Sequence, residues 1–356
     1  MTTYTLPDGV RSATVETSRL RVHYLETGPA DGVPVVFLHG NLVSSLFWDE
    51  TLAALPDRYR GLAVDMRGFG DSESLAIDAT RGVRDFADDA YAFIEAMELA
   101  TPVHLVGWST GGGAIMQYAI DHSDHVASLS LVDPVSPHGF VGTKDVEGTP
   151  CYPDFAGGGA GGMAPEMIER LQAGDTSADS DLSPRNVMRN FFVSPNHTFD
   201  PVREDAFVAE ILKSKTGDGN FPGDVAPSSN WPTFAPGSQG VNNALAAGHC
   251  DLTSLVDIEP KPPILWIRGA DDQVVSDTSM FDIGYLGQLG AIPGWPGDDV
   301  YPPQPMVQQI AATLQTYVHN GGTSSEVVIA DSGHSPHLDQ AAEFQEAFFG
   351  FLAANS

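Results

Sequence analysis

One short stretch constrains this chain more than any other. Val103-His104-Leu105-Val106 is an apolar run, followed at once by Gly107-Trp108-Ser109-Thr110-Gly111 and two more glycines, Gly112 and Gly113. The apolar run predicts a buried parallel strand, and residues 110–122 predict a helix. A serine between the two, with glycine two positions before and two after it, predicts a strand-to-helix turn so tight that neighbouring side chains would collide. Such a turn lifts the hydroxyl to the carboxyl edge of a parallel sheet, above a helix N-terminus. That terminus offers free N–H groups and the positive end of the helix dipole to a developing oxyanion.

The surrounding pattern agrees. Alternating apolar positions over 11–28 predict a leading antiparallel pair. Apolar runs at Pro34–His39, Arg60–Asp65, Val126–Asp133 and Pro263–Arg268 predict further strands, and 325–330 predicts another. Helical spacing covers 46–56, 81–99, 303–319 and 339–353. This alternation predicts an α/β chain with a mostly parallel, doubly wound sheet. The regularity breaks over 135–260, which is rich in Gly, Pro, Ser and aromatics and carries short helical stretches at 165–173, 184–192 and 203–214. It is too long for a loop and predicts an inserted subdomain. The expected organisation is a core of 1–134 and 261–356 with residues 135–260 inserted. The glycine run 157–162 lacks the lysine of a phosphate loop and reads as a mobile part of the inserted subdomain, with a hinge as one option.

A serine hydroxyl needs a base. His334, in Asp331-Ser332-Gly333-His334 directly after the last apolar strand, is the candidate; His337 reads as structural. The base needs a carboxylate to hold one tautomer. Asp272 follows the strand ending at Arg268 and is preferred, with its neighbour Asp271 and with Asp133, at the end of an earlier strand, as alternatives. One oxyanion donor should be the N–H of Thr110, next to the nucleophile. The second should come from the turn His39-Gly40-Asn41-Leu42, with Asn41 preferred over Leu42 and His39 bracing the loop.

With these pieces in place the chain resembles the α/β-hydrolase superfamily, in its cap-bearing group of serine esterases, C–C bond hydrolases, proline iminopeptidases, haloalkane dehalogenases and epoxide hydrolases. The resemblance rests on Phe37-Leu38-His39-Gly40, Asp65-Met66-Arg67-Gly68-Phe69-Gly70-Asp71-Ser72, Gly107–Gly111, Gly269–Val275 and Gly333–Leu338. It spans roughly 11–135 and 260–354. It implies the α/β-hydrolase fold, the chain order nucleophile, acid, histidine, and a role for 135–260 as a cap over the site. Relatives that transfer alkyl groups carry aspartate at the elbow; Ser109 instead favours acyl transfer.

The expected activity is hydrolysis of a carboxylic ester or lactone through an acyl-enzyme. A proline-type aminopeptidase, a C–C bond hydrolase and a non-catalytic ligand receptor are the alternatives. Trp108, Leu42, Phe191, Phe192 and Trp231 are the candidate pocket residues. The long aromatic stretch 276–302 adds a further wall, and the two together point to a bulky, partly apolar substrate.

Composition narrows the partners. The 356 residues are 42% hydrophobic, enough for a core, but carry 47 Asp and Glu against 17 Lys and Arg, a formal charge of -30. That field repels phosphate backbones and anionic lipid surfaces, so a small-molecule substrate is expected rather than nucleic acid or membrane. It also fits a high-salt habitat. Met1–Val10 lacks the basic and apolar regions of a signal peptide, so a cytoplasmic location is expected. Cys151 and Cys250 are expected to be free thiols. His122 and His125, beside Asp121 and Asp124, read as a solvated helix terminus rather than a metal site. No metal or organic cofactor is expected, and the oligomeric state is not legible.

Overall fold

The computed structural model describes residues 4–356. Its strands are β1 (Arg11–Glu16), β2 (Arg21–Thr27), β3 (Val33–Leu38), β4 (Tyr59–Val64), β5 (Val103–Trp108), β6 (Val126–Val132), β7 (Val225–Pro227), β8 (Phe234–Pro236), β9 (Ile264–Gly269) and β10 (Ser324–Ile329). The helices are α1 (Asp49–Ala54), α2 (Arg84–Ala96), α3 (Thr110–Asp121), α4 (Pro165–Ala173), α5 (Pro184–Val187), α6 (Pro201–Ile211), α7 (Val241–Leu245), α8 (Ile283–Gln288), α9 (Met306–His319), α10 (Pro336–Asp339) and α11 (Ala341–Ala354).

Eight strands form one sheet in the order β1-β2-β4-β3-β5-β6-β9-β10. β1 and β2 pair antiparallel, and β2 joins β4 antiparallel; every pairing from β4 to β10 is parallel. Helices cover both faces, with α2 packed on α3 and α1 on α11. The central strands are therefore apolar on both sides: Val35, Val36, Phe37, Leu105, Val106, Leu129 and Leu131 are fully buried. Parallel pairing puts the loops after β3, β5, β6, β9 and β10 on one rim, and every candidate site residue on the core lies there.

Residues 135–260 hold α4 to α7 and the small antiparallel pair β7–β8. α4 has the predicted bounds. The 184–192 stretch divides into α5 and a wider, π-type turn over Met188–Phe192. α6 begins two residues before the apolar spacing suggests, because Asp200 accepts the N–H groups of Val202 and Arg203 and Pro201 fits the first helical position. The segment is tied to the core. Phe207 stacks on Phe47 with ring centres 4.1 Å apart, and Arg203 reaches the fully buried Asp49 at 2.8 Å.

The glycine run corrects the sequence reading. Ala156, Gly157 and Gly158 are buried. A methyl group on Gly157 would overlap Ile283, one on Gly159 would overlap the Asn243 side chain, and one on Gly161 would overlap the Phe234 ring. These glycines permit close packing and leave no room for a hinge. Cys151 and Cys250 are free. Among the described residues no helix is long and apolar enough to cross a membrane.

Candidate active site

The turn after β5 has the strain its sequence predicts. Ser109 sits at φ 56° and ψ −115°, a conformation L residues rarely adopt. Its own N–H donates to Val132 O at 2.9 Å, and its carbonyl accepts from Val135 at 3.2 Å. The glycines are needed by contact. A Cβ on Gly107 would overlap the Gly111 carbonyl, and one on Gly111 would overlap the Leu38 carbonyl. Ser109 is half-buried at the head of α3.

The turn after β3 lies directly against it. A Cβ on Gly40 would stand 3.2 Å from Ser109 Cβ and 3.3 Å from the Trp108 ring. His39 braces this turn: its Nδ1–H donates to Gly40 O at 2.7 Å and its Nε2 accepts from Met66 N at 2.9 Å. Burial pushes His39 below the usual imidazole range, which suits this neutral tautomer. Among the described residues no acceptor takes the N–H of Thr110, Asn41 or Leu42. Leu42 is buried at φ 62°, and the Asn41 side chain donates to Asn242 at 2.9 Å.

His334 and Asp272 come together across the rim. His334 Nδ1–H donates to Asp272 Oδ2 at 2.9 Å, and both side chains are buried. The other Asp272 oxygen accepts from Val274 N at 2.7 Å and Val275 N at 3.3 Å. Asp271 is exposed. Asp133 is buried beside the pair, and carboxylate oxygens of Asp133 and Asp272 and a ring nitrogen of His334 lie within 4.8 Å of one another. Burial, and then the adjacent Asp272, pushes the Asp133 carboxyl well above the usual carboxylate range.

A contact with no clear sequence signal links the two halves of the site. Trp108 Nε1–H donates to the His334 carbonyl at 2.6 Å. Asp339 is a second such contact: Oδ2 accepts from Gly333 N at 2.7 Å and from Ser194 N at 2.9 Å, fixing the His334 loop and 135–260 together. Asp339 lies only five residues past His334, yet nothing in its spacing marks it.

The candidate pocket residues separate. Trp108 is fully buried, packed against Phe47, Trp48 and His337, so its ring belongs to the packed interior. Phe192 meets its edge at 6.3 Å, and Phe191 packs edge-on against Phe281 of the 276–302 stretch at 5.0 Å. Trp231 packs against Tyr301 and donates to Pro293 O at 2.9 Å. A cleft of about 420 Å³ opens beside Val193, Ser194 and His197; Ser109 does not line it.

Two groups have metal-like composition. In His23–Asp65–Asp71 the Asp65 oxygens already accept from His23, Ser45 N and Asp71 N. In Asp133–Asp272–His334 the carboxyl oxygens accept from Gly269 N, Val274 N and the His334 ring. His122 and His125 stack on Tyr91.

A parallel sheet with a positive-φ serine after β5 and a histidine after β10 is the architecture of an α/β-hydrolase. The sequence profile of the alpha/beta hydrolase fold matches residues 33–283, and the chain belongs to that family. The chain is 34% identical over 135 residues to the non-heme chloroperoxidase of Burkholderia pyrrocinia, which covers 37% of this chain and 48% of that protein. It is 30% identical over 114 residues to carboxylesterase YbfK of Bacillus subtilis, covering 32% and 38%. Each match thus spans less than half of the relative. The solved structure of carboxylesterase CesB (YbfK) from Bacillus subtilis superposes with TM-score 0.59 at 15% identity, over 99% of this chain and 94% of that one. Likeness at that identity speaks for the fold.

Proposed function

We propose that the chain is a serine hydrolase that cleaves a carboxylic ester or lactone through an acyl-enzyme. Ser109 is the nucleophile, His334 the general base and Asp272 its orienting carboxylate. The observation that carries this reading is the 2.9 Å His334–Asp272 bond on the same rim as the strained Ser109 turn. His334 takes the Ser109 proton, Ser109 attacks the carbonyl, and His334 returns the proton to the leaving alcohol; water then releases the acyl group. The free N–H of Thr110 and that of Asn41 hold the oxyanion, with Leu42 as the neighbouring donor.

Residues 135–260 act as a cap. Phe191 and Phe192 stand where this segment meets the rim, and with Phe281 they supply apolar surface for a bulky acyl or ring group. The relatives named as a carboxylesterase and a chloroperoxidase share only their core stretch with this chain, so the substrate is read from the site.

A series of aryl esters and lactones of increasing acyl size tests both parts. Turnover that rises with acyl size and disappears in Ser109→Ala is the expected result. Undiminished turnover in Ser109→Ala ends the serine reading, and a preference for acetate with no gain from larger groups ends the bulky-substrate reading.

A further inference from the structure

The acid position of this site holds two carboxyl groups. Parallel pairing of β6 with β9 sets Val132 opposite Ile267. Asp133, the next residue, therefore projects toward Arg268 and Gly269, three residues before Asp272 closes on His334. Asp133 is held there firmly. Its backbone adopts φ 39°, unusual for a residue with a side chain. Its N–H donates to Ile267 O at 2.9 Å, and Gly269 N donates back to its carboxyl at 3.1 and 3.3 Å. Strained, fully buried and polar, it does nothing in the mechanism above.

The groups facing the pair are Arg268, which is partly exposed and paired with Glu326 at 2.8 Å, His334, and beyond it the buried His337, whose surroundings disfavour its charged form. The Arg268 charge draws the Asp133 carboxyl the other way, but less than burial and Asp272 push it up. Two carboxylates this close in a buried site cannot both ionise, so one keeps a proton.

We propose that Asp133 is a positioning residue that holds one proton in common with Asp272, donating a hydrogen bond to it, and that it is the reserve acid for His334. The inference rests on the assignment of His334 as base. It has two consequences. The Asp133 O–H stabilises the Asp272 charge, so Asp272 holds the His334 proton less strongly than an isolated aspartate does. And in Asp272→Ala the repulsion from Asp272 is gone and the vacated space admits water, which relieves part of the burial that chiefly holds the Asp133 proton; Asp133 then ionises within 4.8 Å of His334 and takes over part of the role of Asp272. The burial of Asp133 and its raised affinity for a proton are in keeping with this.

The proton is read directly by infrared difference spectroscopy of the full chain at pH 8, wild type minus Asp133→Asn. A protonated-carboxyl band lost in the variant is expected; Asp282, another buried carboxyl, whose value is about 6, is already ionised there. No lost band overturns the proposal. The reserve role is read with a p-nitrophenyl ester. Asp272→Ala should lose roughly 10²-fold in kcat/KM, against the roughly 10⁴-fold typical of a missing triad acid, and adding Asp133→Asn should cost a further tenfold or more. Equal activity of Asp272→Ala and the double variant overturns the reserve role. The acid limb of the kcat/KM profile should move to higher pH by roughly one unit in Asp133→Ala and by less in Asp133→Asn, which restores a donor; an unmoved limb in Asp133→Ala counts against the proposal. If Ser109→Ala keeps full turnover, the serine reading fails instead, and the infrared band still decides where the proton is.

Discussion

Trp108, the residue before the candidate nucleophile, donates its indole N–H to the main-chain oxygen of His334 at 2.6 Å. Two turns more than two hundred residues apart are thereby held by one buried bond. Each is also held by further contacts: Trp108 by Phe47 and His337, His334 by Asp272.

Trp108→Phe keeps most of the ring and removes the donor, leaving the His334 carbonyl buried without it. Such a loss costs roughly 1–3 kcal/mol. The expected outcome is a kcat about tenfold lower with little change in KM, because under the proposed mechanism the bond positions His334 as base and does not touch the substrate. Steady-state kinetics check this; a change confined to KM contradicts it.

Gly40→Ala separates activity from folding. The new methyl would stand 3.2 Å from Ser109 Cβ and 3.3 Å from the Trp108 ring, tight but not impossible. A modest stability loss of roughly 1–2 kcal/mol is expected. The turn carrying Asn41 and Leu42 must shift against Ser109, so kcat/KM should fall roughly 10²-fold. Thermal melts beside ester kinetics give both numbers.

The core of this architecture is legible in the sequence because its signals are local. The Gly107–Gly113 spacing, the apolar runs and the loops carrying Asp272 and His334 each lie within a few residues. What is not legible depends on the approach of distant segments. The nearness of Asp133 to Asp272 follows from the β6–β9 register, and the sequence offers the two only as alternatives. Trp108 reads as a pocket residue because an aromatic beside a nucleophile has the same letter whether it faces substrate or core. Gly157–Gly162 suits a flexible hinge and a crowded contact equally well, and only the Ile283, Asn243 and Phe234 side chains decide between them. The start of α6 was available in Asp200-Pro201, but apolar spacing alone passes over it.

Arg203→Leu should loosen 135–260 from the core. The Arg203 guanidinium is the cation at 2.8 Å from the fully buried Asp49, and it lies over the Phe207 ring at 4.8 Å. Removing one partner of a buried pair leaves the other charged and desolvated, at a cost of roughly 3 kcal/mol. Denaturant unfolding is expected to show that loss. Residues 201–211 should also exchange amide hydrogens faster, and unchanged exchange there contradicts the docking role.

Asp282 gives the stability a pH dependence of definite sign. Its carboxyl caps α8 through Gly284 N at 2.8 Å and accepts from Gln304 N at 2.6 Å, yet burial pushes its value up to about 6. Between pH 4 and 6 the folded chain keeps a proton that the unfolded chain has released. Stability therefore falls as pH rises through that window, by roughly 3 kcal/mol from this group, and levels off above it. Asp282→Asn cannot ionise, so its unfolding free energy relative to wild type should rise by that amount from pH 4 to 6. A constant difference across the window contradicts the burial account.

The central claim is that Ser109 is a nucleophile activated by His334. The most direct measurement is reaction of the purified chain with a fluorophosphonate, followed by mass spectrometry of the peptide around Gly107–Gly111. A single adduct on Ser109, absent in Ser109→Ala and formed at least about 10²-fold more slowly in His334→Gln, is the predicted result. No adduct on Ser109, or labelling that His334→Gln leaves at its wild-type rate, contradicts the account.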